Sequence, residues 1–380
     1  MRLVLPEDQF LNLLSYLVVD SVFAISSTCH QLHDWCSLCK VAHSGEEEIE
    51  DVDLALLFRR FPKVNDLTLG YASRPTRETY KALAEVGPQL ISLKLTGARI
   101  IDCNTFRDMV CRFENMRHLF LSGTFYVKSN AINALAKAGT QLQEVCLCGF
   151  RQLKDEDVQL LLDSCPSLTA LSVGDCTSLS SLVLVSPNLL TLDVSRCIHI
   201  IEMCLDMPAL ICLDASWCTK LPDSAIETLL ASCASLEHLG LRGCSALTSP
   251  DLFSSNLKSL DLSLCGNLTA CDVSCQALTN LSVAMCMALA SLSLDLPIML
   301  ELDLSMLGIM KLTLSCSKLL YANLRGSYKL TSANIRSRCP CLSVVDLCGT
   351  KINPEAFARS DGEGEGGVIQ GGAPLPWHTY

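Results

Sequence analysis

The chain has 380 residues, 49% of them hydrophobic and 18% charged, and carries a net charge of −11. That balance leaves no basic stripe for nucleic-acid phosphates, and no apolar run has the length of a membrane span. The start, M-R-L-V-L-P-E-D, has no signal-peptide apolar core before its acids, so the odd number of cysteines, 23, is read as packing in a reducing compartment, cytoplasmic or nuclear, rather than as a disulfide framework.

Residues 1–45 read as three short helices. Pro6 followed by Glu7 and Asp8 is a helix start, because proline suits the first turn and acids complement its dipole. Phe10, Leu13, Leu14 and Leu17 then form a helical stripe. Asp20 or Ser21 can cap a second helix bearing Val22, Phe23 and Ile25, and a third covers about His30 to Lys40. Three such helices bury little apolar area alone and are expected to lean on a partner, on the chain that follows, or on both. A plain cap for the first repeat would also be built this way.

An acidic run, Glu46 to Glu48 with Glu50 and Asp51, opens a helix through Leu54, Leu57 and Phe58. Weak leucine patterns follow at 64–69, 90–95, 116–121 and 142–147, their starts 26 residues apart. Helical segments are expected between and after them at Thr76–Glu85, Thr105–Phe113, Ala131–Ala138 and Asp155–Ser164. A step of that length holds a strand and about two to three helical turns.

From Leu168 one nine-residue phrase keeps returning. It reads L-T-A-L-S-V-G-D-C at 168–176, L-L-T-L-D-V-S-R-C at 189–197, L-I-C-L-D-A-S-W-C at 210–218 and L-E-H-L-G-L-R-G-C at 236–244. Copies at 257–265 and 278–286 continue it, with steps of 21, 21, 26, 21 and 21 residues. A fixed period in that range is the mark of a solenoid. In L-x-x-L-x-L-x-x-C the fourth and sixth residues face inward on a strand, and the third, fifth and seventh face out. One copy cannot fold alone: about five buried aliphatic side chains at ~1.5–3 kcal/mol each oppose ~1–2 kcal/mol of backbone entropy for each of about 21 residues. Stacking supplies the remainder.

A fainter leucine pattern sits ten or eleven residues after each strong one, at 179–184, 200–205, 268–273, 289–294 and 309–314. These read as short strands standing in place of helices, because the step is too short for a helix. A helix returns at about Asp223–Ala231, where the step lengthens. The phrase loses its cysteine at 300–304 and ends in Ser327 and Thr350 in the last copies, a drift expected of a carboxy-terminal cap. Residues 358–380 are glycine-rich and poor in apolar groups, a composition expected to be disordered.

The repeats resemble the cysteine-containing form of the leucine-rich repeat. The resemblance implies an α/β solenoid over 46–357: a leucine-rich-repeat horseshoe with a parallel concave sheet, helix-backed in its first half and backed by extended convex segments in its second. L-P-E-D-Q-F-L-N-L-L-S-Y-L at 5–17 and V-F-A-I-S-S-T-C-H-Q-L at 22–32 resemble an F-box, with Ser21 where an acid is common and Leu32 where a tryptophan is common. Together the two resemblances imply a substrate-recognition subunit of an SCF-type cullin-RING ubiquitin ligase. Leu5, Pro6, Phe10, Leu14, Leu17, Val22 and Leu32 would bind a Skp-type adaptor, and the repeats would hold a protein target. The alternative is an interaction scaffold unrelated to ubiquitin, like the ribonuclease-inhibitor class of leucine-rich-repeat protein.

No enzyme is expected, and no cofactor. The seven histidines are scattered: His118 and His238 share an outward column but stand five repeats apart, about 24 Å at one strand spacing per repeat. His30, His33, Cys36 and Cys39 have metal-like spacing, yet positions three apart rotate around a helix and cannot all reach one ion, so packing is the expected role. The repeat cysteines 176, 197, 218, 244, 265 and 286 form a stacked column of buried thiols bonded to the turn, although neighbours would lie within disulfide reach. Cys146 and Cys148 put both sulfurs on the outward face.

The outward face itself offers Asp193, Asp214, Asp261, Asp303 and Asp346 beside Ser195, Ser216, Ser263 and Ser305. Such aspartate and serine pairs serve as repeat decoration when they hydrogen-bond one another. Read as a ligand surface, the face suits a basic or mixed partner, with Asp193, Arg196, Asp214, Trp217, Arg242, Asp261, Met285, Asp303 and Arg325 in contact.

Overall fold

In the computed structural model, residues 41–43, 63–69, 77–95, 102–123, 127–331 and 335–353 are described. The chain divides into two compact units, residues 1–179 and 180–380. The three helices expected in residues 1–45 up to Lys40, all seven residues expected to bind an adaptor, the spacing at 30–39, the helix expected after the acidic run and the tail at 358–380 lie outside the described residues.

The first unit alternates strand and helix. Its strands are β1 (Val41–His43), β2 (Asp66–Leu69), β3 (Ser92–Leu95), β4 (His118–Leu121), β5 (Glu144–Cys146) and β6 (Ala170–Ser172). Each pairs in parallel with the next. The register stacks Leu67, Leu93, Leu119, Val145 and Leu171 in one column, all of them buried. Between strands run α1 (Arg77–Val86), α2 (Cys103–Val110), α3 (Ser129–Ala138) and α4 (Asp155–Ser164), each packed on its neighbour. Asp102 caps α2 by accepting from the backbone N–H groups of Asn104 and Thr105. Phe106 of α2 meets the Phe150 ring edge to face at 6.0 Å, tying the helix layer to the turn after β5. Among the described residues the first strand of the ladder is Val41–His43, which the leucine pattern did not mark because V-A-H is too short to carry periodicity.

The second unit shows what a shorter step does. Its main ladder is β8 (Thr191–Asp193), β10 (Cys212–Asp214), β11 (His238–Gly240), β13 (Ser259–Asp261), β15 (Asn280–Ser282), β17 (Glu301–Asp303), β19 (Tyr321–Asn323) and β21 (Val344–Asp346), all parallel. Second strands replace helices behind it: β7 (Ser181–Val185) pairs with β9 (Glu202–Asp206), β12 (Asp251–Ser254) with β14 (Asp272–Cys275), and β16 (Ser291–Leu294) with β18 (Lys311–Leu314) and β20 (Ile335–Ser337). The strands at 251–254 and 335–337 add to the five read from the leucine pattern. A single helix among the described residues of this unit, α5 (Asp223–Ser232), stands where the step lengthens and packs against β9 and β12.

The core of each unit is a stack of identical positions. Leu192, Leu213, Leu239, Leu260, Leu281 and Leu302 are all buried, as are Val194, Ala215, Leu241, Leu262, Val283 and Leu304 two residues on. The terminal cysteine of each of the six phrases is buried too, and in five of them the thiol reaches one repeat back. Cys218 Sγ donates to the Val194 carbonyl at 3.3 Å, Cys244 to Ala215 at 3.2 Å, Cys265 to Leu241 at 3.2 Å and Cys286 to Leu262 at 3.0 Å. Cys176 does the same in the first unit, to Leu147 at 3.3 Å. Burial pushes the thiols of Cys244, Cys265 and Cys286 up to about 12. Where the phrase ends in Ser327, its hydroxyl takes over the bond, donating to the Leu304 carbonyl at 2.8 Å.

Candidate functional site

The face of the main ladder away from the second strands carries the residues expected to meet a target. In the second unit the register aligns Asp193, Asp214, Gly240, Asp261, Ser282, Asp303, Asn323 and Asp346 in one column. Their carboxylates have a structural duty first. Oδ1 accepts from the backbone N–H two residues on: Asp193 from Ser195 (2.9 Å), Asp214 from Ser216 (2.8 Å), Asp261 from Ser263 (2.8 Å), Asp303 from Ser305 (2.9 Å) and Asp346 from Cys348 (2.9 Å). These are Asx-turns that steer the chain out of the strand. The aspartate and serine pairing read from the sequence therefore exists, but it runs to the backbone N–H, not to the hydroxyl.

Directly after that bond comes a tight turn. The Cys218 N–H donates to the Ala215 carbonyl (3.2 Å), with Trp217 at φ 63° between them. The same turn recurs with Arg196, Leu264 and Met285 at φ 59 to 62°, and with Gly243, Gly326 and Gly349 at φ 71 to 73°; Met306 shares the left-handed backbone at φ 55°, but there the Leu307 N–H donates to Ser327 Oγ at 3.1 Å. A positive φ at the third residue is what a type II turn demands, and glycine is its ordinary occupant. The backbone here serves the ladder. The N–H of Arg196 donates to Ser216, Trp217 to Arg242, Leu264 to Ala284, Met285 to Ser305 and Met306 to Arg325, each in the next repeat. Glycine would make those bonds equally well, so the bulky side chains are not required by the backbone.

Trp217, Met285 and Met306 are 40, 37 and 48% exposed, with Leu264 half-buried among them. Trp217 lies across Gly243, whose added Cβ would fall 2.6 Å from the indole ring, and Met306 Cγ would lie 3.2 Å from a Cβ on Gly326. The gaps left by the glycines are thus covered, and the row is continuous from Trp217 to Gly326. Exposed Ile198, Met287 and Tyr328, two residues further along their repeats, extend the same apolar edge. Trp217 to Met306 covers four strand spacings, about 19 Å.

Charge flanks this edge. Arg196 and Arg325 are exposed, whereas Arg242 Nη1 donates to Ser263 Oγ at 3.0 Å, and Lys258 Nζ pairs with Glu237 at 2.7 Å. Over the eight phrases of this unit Asp193, Asp214, Glu237, Asp261, Glu301, Asp303 and Asp346 face Arg196, Arg242, Lys258 and Arg325, leaving an acidic surplus. The structure thus brings all nine expected target-binding residues to this ladder, but divides them: the aspartates are turn formers, and Trp217 and Met285 belong to the exposed row. Leu264 and Met306 belong with them and were not among the nine. Their signal was present in the sequence as the eighth position of the phrase, where sister copies have glycine. His118 in the first unit lies 3.4 Å from Glu144, and His238 in the second lies 4.0 Å from Glu237. No group of three metal-type ligands occurs among the described residues, and none of their helices is long and apolar enough to cross a membrane.

The class these features define is an α/β solenoid of parallel-strand repeats. No family model matches the chain, and no curated protein does. Among solved structures it is similar to a chain in the crystal structure of the Rad7 and Elc1 complex in yeast, with 17% identity over 96% of this chain and 91% of that one, and a TM-score of 0.42.

Proposed function

We propose that the chain is a substrate receptor of an SCF-type cullin-RING ubiquitin ligase, active in the cytoplasm or nucleus, that binds a protein target along the left-handed edge of its second unit. It does no chemistry itself; ubiquitin is transferred by other subunits. The observation that carries the recognition half is the row of Trp217, Leu264, Met285 and Met306. Large apolar side chains, three of them exposed and Leu264 half-buried, stand on backbone that glycine would occupy at lower cost, and strain of this kind collects at functional sites. Methionines and a tryptophan suit the task, being adaptable and rich in contact area. The neighbouring acidic surplus favours a target that presents basic groups around its apolar anchors. The adaptor half rests on the F-box resemblance of residues 5–32, with Leu5, Pro6, Phe10, Leu14, Leu17, Val22 and Leu32 as the contact set.

Two variants of the full chain test the halves separately. Leu5→Ala with Pro6→Ala should abolish co-purification with a Skp-type adaptor while sparing captured target. Trp217→Gly with Met285→Gly should do the reverse. A chain that never binds the adaptor yet holds its target through the same row would instead be a scaffold unrelated to ubiquitin, and the ligase assignment would fall.

A further inference from the structure

The repeat at 142–150 breaks the rule that its sister copies follow. Its fifth position, where five repeats of the second unit place an aspartate to hold the residue two places on, is Cys146, and two places on is Cys148. Instead of a carboxylate accepting from a backbone N–H, two thiols stand side by side, Cys146 Sγ 3.2 Å from Cys148 Sγ. Cys148 Sγ lies 2.9 Å from Ser172 Oγ of the next strand, which holds it on the outward face. Both sulfurs are half-buried, so reagents reach them, unlike the sealed thiols of Cys165 and Cys176 in the same unit. At the fifth and seventh positions the neighbouring repeats place no carboxylate, Phe120 and Ser122 before and Ser172 and Gly174 after; the carboxylate on the same face of β5 is Glu144, whose Oε2 lies 3.4 Å from His118 Nδ1.

We infer that Cys146 and Cys148 form a thiol–disulfide exchange site whose reaction partners are small disulfides of the glutathione type. One cysteine, as thiolate, attacks a sulfur of the small disulfide, forming a mixed disulfide and expelling one glutathione thiolate, which takes up the proton lost. The second cysteine then attacks the protein-bound sulfur. The protein disulfide closes, the second glutathione leaves as thiolate and picks up the second proton. Two protein thiols are oxidised and one small disulfide is reduced to two thiols. The closed bond would span the stretch that the Asx-turn bond spans in the sister repeats, covalently rather than through a carboxylate, and the thiol link from Cys148 to Ser172 would be lost.

Trypsin provides the test, because cleavage after Lys137 and Arg151 gives a peptide, residues 138–151, whose cysteines are Cys146 and Cys148 alone. The reduced full chain is treated with oxidised glutathione at neutral pH, quenched with acid, alkylated, digested and analysed by mass spectrometry. Peptide 138–151 should appear unalkylated and lighter by two hydrogen atoms than the dithiol form. The exposed Cys111, alone in peptide 108–112, should stop at the glutathione adduct. Cys146→Ser should leave Cys148 trapped as an adduct, which separates capture from closure, and urea denaturation of that variant checks that it folds as the parent does. Recovery of 138–151 as a dithiol, or as a stable adduct in the parent chain, would overturn the assignment.

Discussion

If the turn at Met306 is a left-handed position occupied for the sake of its side chain, then alanine and glycine there should rank in the reverse of their usual order. Met306 is 48% exposed, so either truncation removes about half of a methionine's burial, about 1 kcal/mol. The two variants differ in the backbone. At φ 55° an L-residue carries about 1–2 kcal/mol of steric cost that glycine does not, offset by about 0.5–1 kcal/mol for the larger entropy glycine loses on folding. Met306→Gly should therefore be the more stable by about 0.5–1 kcal/mol, read as a higher urea midpoint at unchanged slope. Thr191, an outward strand residue without a positive φ, serves as the control: there Thr191→Ala should exceed Thr191→Gly. Equal midpoints at Met306, or alanine above glycine, would show that the row is unstrained and would remove the main reason for assigning it a binding role.

The remaining predictions concern what surrounds that row. Asp261→Ala removes the bond to the Ser263 N–H (2.8 Å) and should cost about 1 kcal/mol, measured by urea denaturation; Asp261→Asn, which keeps an acceptor, should cost less. Gly243→Ala puts a methyl group 2.6 Å from the Trp217 ring at φ 71°, so it should destabilise by at least about 1 kcal/mol and shift the tryptophan fluorescence. The buried thiols predict alkaline unfolding. Cys244, Cys265 and Cys286 rise from 9.0 to about 12 on folding, so they stay protonated in the fold while the unfolded chain ionises. Their contribution is complete below pH about 9 and is lost between about 9 and 12, and Cys244→Ala should flatten that fall in a series of urea midpoints. The same sealing means that an aromatic disulfide reagent at pH 8 should titrate the exposed Cys111, Cys341 and Cys348 and the half-buried Cys146 and Cys148 in the folded chain, and the repeat column only after denaturant is added.

The architecture was open to reading because burial in this fold follows a fixed count. Leu213 and Ala215 lie inward and Cys212 and Asp214 outward, as a period of two requires, and the helix at Asp155–Ser164 matches its expected limits because an acidic first turn announces it. The step length separated helix-backed from strand-backed repeats for a purely spatial reason. What the pattern hid were short or unpatterned pieces: Val41–His43 has no alternation to display, and Asp251–Ser254 carries an exposed Phe253 where an apolar count expects burial. The site was harder still. Aspartates on an outward column look like recognition groups until the backbone is seen to claim them. The chief hidden variable was a dihedral angle, legible only by aligning Trp217, Leu264, Met285 and Met306 with the glycines of sister phrases.

That angle separates two kinds of change open to this architecture. Because the N–H at each left-handed position stitches one coil to the next whatever side chain hangs from it, substitutions there alter what the protein grips while the spool stays wound. Lineages could therefore retune specificity coil by coil, with drift toward glycine marking grip that has been given up, and with the scaffold indifferent throughout.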